Sequence, residues 1–181
     1  MLNRLDHQPN WVHYGMIVAA CLLVLCFVNP FHKILELRYI SWDSAGYYIY
    51  LPTFLIYNDP REMKFLHDVM SRYDISAYMY QAVKYTNGNY TMSYTMGVAL
   101  LQLPAFLISH FVAQAFGFSQ DGYSAPYQWG VFVIGALYAL AGACLLFRFL
   151  AAYFSKGTSL VAVLAVVLGT NLYNYGFAEN S

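Results

Sequence analysis

The sequence predicts an all-α membrane protein, with three transmembrane helices, or four if residues 96–116 also cross, and one long external loop. Three observations carry that expectation: composition, the spacing of the apolar runs, and the few charges placed at their ends. Of 181 residues, 60% are hydrophobic, 19% aromatic and only 10% charged, and nine basic residues balance nine acidic ones. So apolar a chain belongs in lipid. Its scattered Lys and Arg form no stripe that would track a phosphate backbone, which argues against nucleic acid as a partner and for membrane lipid. The cysteines Cys21, Cys26 and Cys144 lie inside apolar runs and offer neither a disulfide framework nor zinc-ligand spacing.

Residues 1–13, with Arg4, form a cytoplasmic N-terminus on this reading. A span needs about 20 mostly apolar residues, and Tyr14 to Phe31 is the first. Val18-Ala19-Ala20-Cys21 is close to a lipoprotein processing box, but the apolar run continues to Val28, so a retained helix is expected. Within the external loop 32–127, the residues between the first span and Met96 are too polar to lie in lipid. Gly46 to Tyr57 reads as a short helix broken or kinked at Pro52. Asn58-Asp59-Pro60-Arg61-Glu62 has the spacing of a helix start, with Asp59 as cap and Glu62 completing a capping box. Phe65, Leu66, Val69, Met70 and Tyr73 then fall on one helical face. Val83 to Met92, with Asn87-Gly88 between strand-favouring residues, predicts a hairpin.

Met96 to Phe116 is apolar but carries Gln102, Pro104, Ser109, His110 and Gln114. These suit it to the interface or to packing on protein, and leave a fourth span as the alternative. Gln128 to Phe149 and Leu160 to Phe177 are the remaining spans. Arg148 and Lys156 bracket the short connection Leu150 to Ser155, so the turn 150–159 is cytoplasmic under the positive-inside rule. Three spans then put 32–127 and 178–181 outside. Four spans would leave Lys33, Arg38, Arg61, Lys64, Arg72 and Lys84 in the cytoplasm and separate Asp43 from Glu179 by the membrane. Charge counting does not decide, because the rule holds for loops of up to about 60 residues.

Asp43, in Trp42-Asp43-Ser44-Ala45-Gly46-Tyr47-Tyr48, is the leading candidate for chemistry. An ionised carboxylate at mid-bilayer costs roughly 2.5–3.5 kcal/mol on insertion scales, so it must face water, head groups or a protein cleft. Its bland role is to cap the helix that follows. His67 and His110 have no partner at metal-ligand spacing and read as ordinary histidines. Tyr47, Tyr48, Tyr50, Tyr57, Tyr78 and Tyr80 read as an interfacial aromatic belt.

The Trp42–Tyr48 turn after the first span, the amphipathic loop, Tyr94-Thr95-Met96-Gly97 opening an apolar helix, Asp121-Gly122-Tyr123-Ser124 before a span, and Arg148 with Tyr153-Phe154-Ser155 together resemble a known family. They look like the amino-terminal part of bacterial polytopic glycosyltransferases of the GT-C superfamily, which includes the aminoarabinose and protein O-mannosyl transferases. The resemblance implies transfer of a sugar from a polyprenyl-phosphate donor at the external face of a bacterial inner membrane. It makes Asp43 a catalytic acid of the first external loop and gives Glu179, after a later span, the place of a second. Where some relatives carry a phosphate- or metal-contacting residue before the interfacial helix, this chain has Ser93, Tyr94 and Thr95.

Glycosyl transfer needs a carboxylate to deprotonate the acceptor and cationic or metal help for the phosphate leaving group. Asp43 is the candidate general base and Glu179 the second acid, orienting the acceptor or sharing a divalent metal. Arg38, Lys33 or Lys84 would meet phosphate, and Tyr47 is a candidate substrate contact. The resembled proteins are longer, so activity is expected to require further helices, in the same chain or in a partner membrane protein. Two other classes fit the sequence: a small membrane scaffold whose loop binds a partner, and a piece of a transporter in which Asp43 and Glu179 line a polar path.

Overall fold

The computed structural model describes residues 6–28, 39–73 and 82–172. In chain order the elements are α1 (Asn10–Val28), α2 (Trp42–Tyr48), the single turn α3 (Tyr50–Pro52), a π-helical turn (Thr53–Tyr57), α4 (Phe65–Tyr73), β1 (Ala82–Lys84), β2 (Tyr90–Met92), α5 (Gly97–Phe116), α6 (Ala125–Leu150) and α7 (Lys156–Gly169). The chain is mostly helical, and its described residues fall into two compact units. One contains α1, α6 from Gly135 onward, and α7; the other contains the described residues from Tyr39 to Ile134.

In the first unit α1 packs on α7, with Ile17, Cys21, Val24, Phe147, Leu160 and Val163 at its centre. His13, fully buried, stacks on Phe147 with ring centroids 5.3 Å apart. Ser155 starts α7: its side chain accepts from the Thr158 N–H, which would otherwise be one of the helix's orphan donors. The Gly157 N–H donates to Asp6 Oδ1 at 2.7 Å, so a carboxylate from the chain's start also sits at this positive helix end.

The second unit is built on aromatic rings. Tyr48, Tyr123 and Tyr127 are essentially fully buried around Phe106, so their large rings are removed from water. The segment read as a helix from Gly46 to Tyr57 starts earlier, at Trp42. It also changes character after Pro52, which lacks the N–H that would continue the ladder, so the next turn widens into the π-helical Thr53–Tyr57. Asn58, at φ 47, ends it, and the Asp59 N–H reaches back to the Thr53 carbonyl at 3.2 Å.

Asp59 does cap, accepting from the Glu62 and Lys64 N–H groups at 3.1 and 2.9 Å. It caps a turn rather than the helix: Met63 at φ 44 interrupts the backbone, and α4 begins only at Phe65. The face predicted for α4 is the one it buries, with Phe65, Leu66 and Val69 in the core. In the hairpin Val83 pairs with Thr91 and Lys84 with Tyr90. Gly88, at φ 86, closes a three-residue loop in which the Gly88 N–H bonds to the Tyr85 carbonyl and the Tyr85 N–H to the Asn89 carbonyl.

Among the described residues, α5 and α6 are the two helices long and apolar enough to cross a membrane. α5 is a regular 20-residue helix despite Pro104, and Gly117 at φ 73 ends it by letting the Phe118 N–H reach the Ala113 carbonyl. Of the other expected spans, Tyr14 to Phe31 corresponds to α1 as far as Val28. Leu160 to Phe177 corresponds to α7, which is 14 residues long and stops at Gly169. Residues 29–31 of the first range and 173–177 of the second lie outside the described residues.

Candidate functional site

Asp43 sits in the first turn of α2, where a carboxylate suits the helix dipole, but it is not the cap: Ser41 holds that position and makes no side-chain capping bond. The helix-cap role weighed for Asp43 is therefore not the one it plays. Trp42 beside it adopts φ 46, a left-handed backbone rarely taken by a bulky residue, and leaves its ring 66% exposed.

The carboxylate is exposed, and the Tyr94 hydroxyl donates to its Oδ1. The Tyr94 ring meets Tyr47 edge-on with centroids 4.6 Å apart, and the Tyr94 carbonyl accepts from the Tyr50 hydroxyl. Asp43 is thus an acid oriented by the Tyr94 hydroxyl, whose ring packs on Tyr47, and it is reached from the segment just before α5. Such a group can accept a proton from a hydroxyl or bind a hydroxyl-rich or cationic ligand.

Of the other candidates, Tyr47 joins Asp43 through Tyr94. Lys84 does not meet Asp43: its ammonium lies 5.5 Å from the centroid of the Tyr90 ring, its cross-strand partner. Arg38, Lys33 and Glu179 lie outside the described residues, as do Tyr78 and Tyr80. No group of three or more His, Cys, Asp or Glu that could hold a metal ion occurs among the described residues. His67 is exposed on α4. His110 Nδ1 shares a hydrogen bond of 2.6 Å with the Tyr127 hydroxyl.

The aromatic-belt reading needs one correction. Tyr48 is fully buried: its hydroxyl donates to the Gly122 carbonyl and its ring meets Phe106 and Tyr123, so it is core rather than interface. Burial pushes its ionisation well above the ordinary tyrosine value.

A second carboxylate, Asp121, was singled out only as part of a motif, and it is the better connected of the two. Its Oδ1 accepts from the Tyr123 and Ser124 N–H groups at 2.9 and 3.0 Å. Its Oδ2 accepts from Ser119 Oγ at 2.7 Å and from the Tyr73 hydroxyl, with Arg72 at 3.5 Å. Its backbone carbonyl accepts from the Tyr57 hydroxyl at 3.0 Å. The available signal was Asp-Gly followed two residues later by Ser, the composition of an Asx turn ahead of a helix. Asp121 fastens α4 and the π-helical turn to the α5–α6 connection.

The fold and these carboxylates define a mostly helical protein with, among the described residues, two helices long and apolar enough to cross a membrane and an exposed acidic turn. Comparison with known proteins finds no matching family model, no matching curated protein and no matching solved structure.

Proposed function

We propose that the chain is part of a multi-pass enzyme of a bacterial inner membrane that transfers a sugar from a polyprenyl-phosphate donor, with Asp43 as the general base toward the acceptor hydroxyl. The observation that carries this reading is the exposed Asp43 carboxylate, one oxygen of which takes the Tyr94 hydroxyl beside the Tyr47 ring. An oriented acid flanked by aromatic faces suits a sugar, whose apolar face stacks and whose hydroxyls hydrogen-bond. The order of motifs in the sequence supports the same chemistry. The roles of Glu179 as second acid, of Arg38 and Lys84 toward phosphate, and of a divalent metal belong to this proposal too.

Membrane vesicles from cells expressing the full-length gene product test it, supplied with radiolabelled polyprenyl-phosphate sugars. Label should move from the lipid to an acceptor. Asp43→Asn should lower that transfer by about 100-fold or more, the usual range for losing a general base, while membrane insertion is retained. Transfer that persists unchanged in Asp43→Asn would remove Asp43 from the chemistry.

A further inference from the structure

We propose, resting on the reading of Asp43 as general base, that Tyr94 is its positioning residue: the Tyr94 hydroxyl holds Oδ1 and leaves Oδ2 to take the acceptor's proton. Asp43, Tyr47 and Tyr50 stand at i, i+4 and i+7, so they share one face of the α2–α3 segment. The rest of that segment, with Ala45, Tyr48, Ile49 and Leu51, is buried in the core and is fixed there.

Tyr94 meets each of the three by a different group. Its hydroxyl donates to Asp43 Oδ1, its ring meets the Tyr47 ring edge-on at 72°, and its backbone carbonyl accepts from the Tyr50 hydroxyl. Ring and backbone are therefore both held on the face that carries the carboxylate, and together they place the hydroxyl. A donor fixed in this way needs no reorganisation when substrate arrives. Asp121, which also takes a tyrosine hydroxyl, has the opposite surroundings. Its side chain is 9% exposed, and both of its oxygens take donors from Tyr73, Ser119 and two backbone N–H groups. The bond between Tyr94 and Asp43 is exposed, where it competes with water and adds little to folding. Its consequence is to aim an accessible acid.

In the transfer, the acceptor oxygen bonds the anomeric carbon of the donor sugar while the bond from that carbon to the phosphate oxygen breaks. Polyprenyl phosphate leaves with the electron pair, and the acceptor's proton passes to Asp43 Oδ2. Tyr94 keeps its own proton throughout and holds the carboxylate from the other oxygen, so that the base meets the hydroxyl in one orientation.

Tyr94→Phe keeps a ring against Tyr47 and a carbonyl for Tyr50 and removes only the donor to Asp43. The test uses membrane vesicles carrying the full-length gene product, a radiolabelled polyprenyl-phosphate sugar as donor and the acceptors native to the membrane. The variant should insert as the natural chain does. Its kcat should fall by about 10–100-fold, the scale of a catalytic group displaced by an ångström, with KM for the donor unchanged. Adding Tyr94→Phe to Asp43→Asn should cause no further loss, because a positioning residue acts only through the base it holds. Full activity in Tyr94→Phe, a raised KM with kcat unchanged, or losses that multiply in the double variant would overturn the proposal. The reading of Asp43 as base would fail in a different way, with no label transferred by the natural chain or with equal transfer by Asp43→Asn.

Discussion

Two aspartates illustrate how far a single residue can be read. Asp43 stood out in the sequence because a carboxylate beside an apolar run demands an explanation, but its partner Tyr94 lies 51 residues away and no local pattern announces the pair. Asp121 is the reverse case, its two N–H donors being local and its link to α4 long-range. Its side chain is only 9% exposed, so Asp121→Ala would leave the Tyr123 and Ser124 N–H groups and the Tyr73 hydroxyl short of an acceptor. At about 1–3 kcal/mol for a buried group left unpaired, the loss should exceed that of Asp121→Asn, which keeps an acceptor oxygen; thermal unfolding in detergent would rank the two. Tyr73 adds a pH signature. Burial, and then its hydrogen bond to Asp121, push its ionisation up to about 12 from an ordinary value near 10. The folded state therefore holds that proton more tightly. The resulting stability is complete below pH 10 and is lost as pH rises from about 10 to about 12. Unfolding curves across that window should fall more steeply for the natural chain than for Tyr73→Phe, and equal slopes would mean that folding does not raise the ionisation of Tyr73.

Elements whose signal is local were legible, and elements shaped by distant contacts were not. The hairpin and the buried face of α4 followed from turn chemistry and periodicity. The start of α4 did not, because Met63 takes a left-handed backbone inside a segment that reads as continuous helix. Nor did the approach of α5 to α6. A Cβ on Gly130 would stand 2.2 Å from Ser109 Oγ and 3.3 Å from the Ala105 carbonyl. Gly130→Ala should therefore destabilise this contact, and adding Ser109→Ala should recover most of the loss, since the nearest remaining atoms lie at 3.3 and 3.4 Å. A double-mutant cycle by thermal denaturation checks it, and strictly additive losses would refute the contact. At the other unit's helix start, the Gly157 N–H, and further the Ser155 side chain, hold Asp6 below the usual carboxylate range. That stabilising contribution is present above a pH of about 4 and disappears as pH falls through the lowered value. Hydrogen exchange at Gly157 should accordingly gain protection from Asp6 at neutral pH and lose it in acid, a difference absent in Asp6→Asn.

For the molecule as a whole, composition carried the class and side-chain placement sharpens it. α6 exposes Leu137 near its middle and Leu145 further on, while the glycine of its first turns faces protein, and α5 divides its surface the same way. Such surfaces match hydrocarbon and are poorly matched to water. The number of crossings was not legible, because hydropathy registers only the length and apolarity of a helix. The lipid environment of α6 can be tested by substitution on its exposed face. Leu137 is 54% exposed at the centre of a 26-residue helix. On a protein surface in water, Leu137→Arg would change stability by no more than about 0.5 kcal/mol. In a helix spanning lipid, an arginine at the centre costs roughly 2.5–3.5 kcal/mol on insertion scales, enough to lower the inserted fraction substantially. Arginine at Gln128, near the helix start, would cost less on the same scale because its side chain can reach the head groups, although it would also break the bonds Gln128 makes with Ile40 and Tyr123. Leu137→Arg should thus shift the chain from the membrane pellet or leave it uninserted in a glycosylation-tag assay. Normal insertion of that variant would show that the middle of α6 does not lie in hydrocarbon.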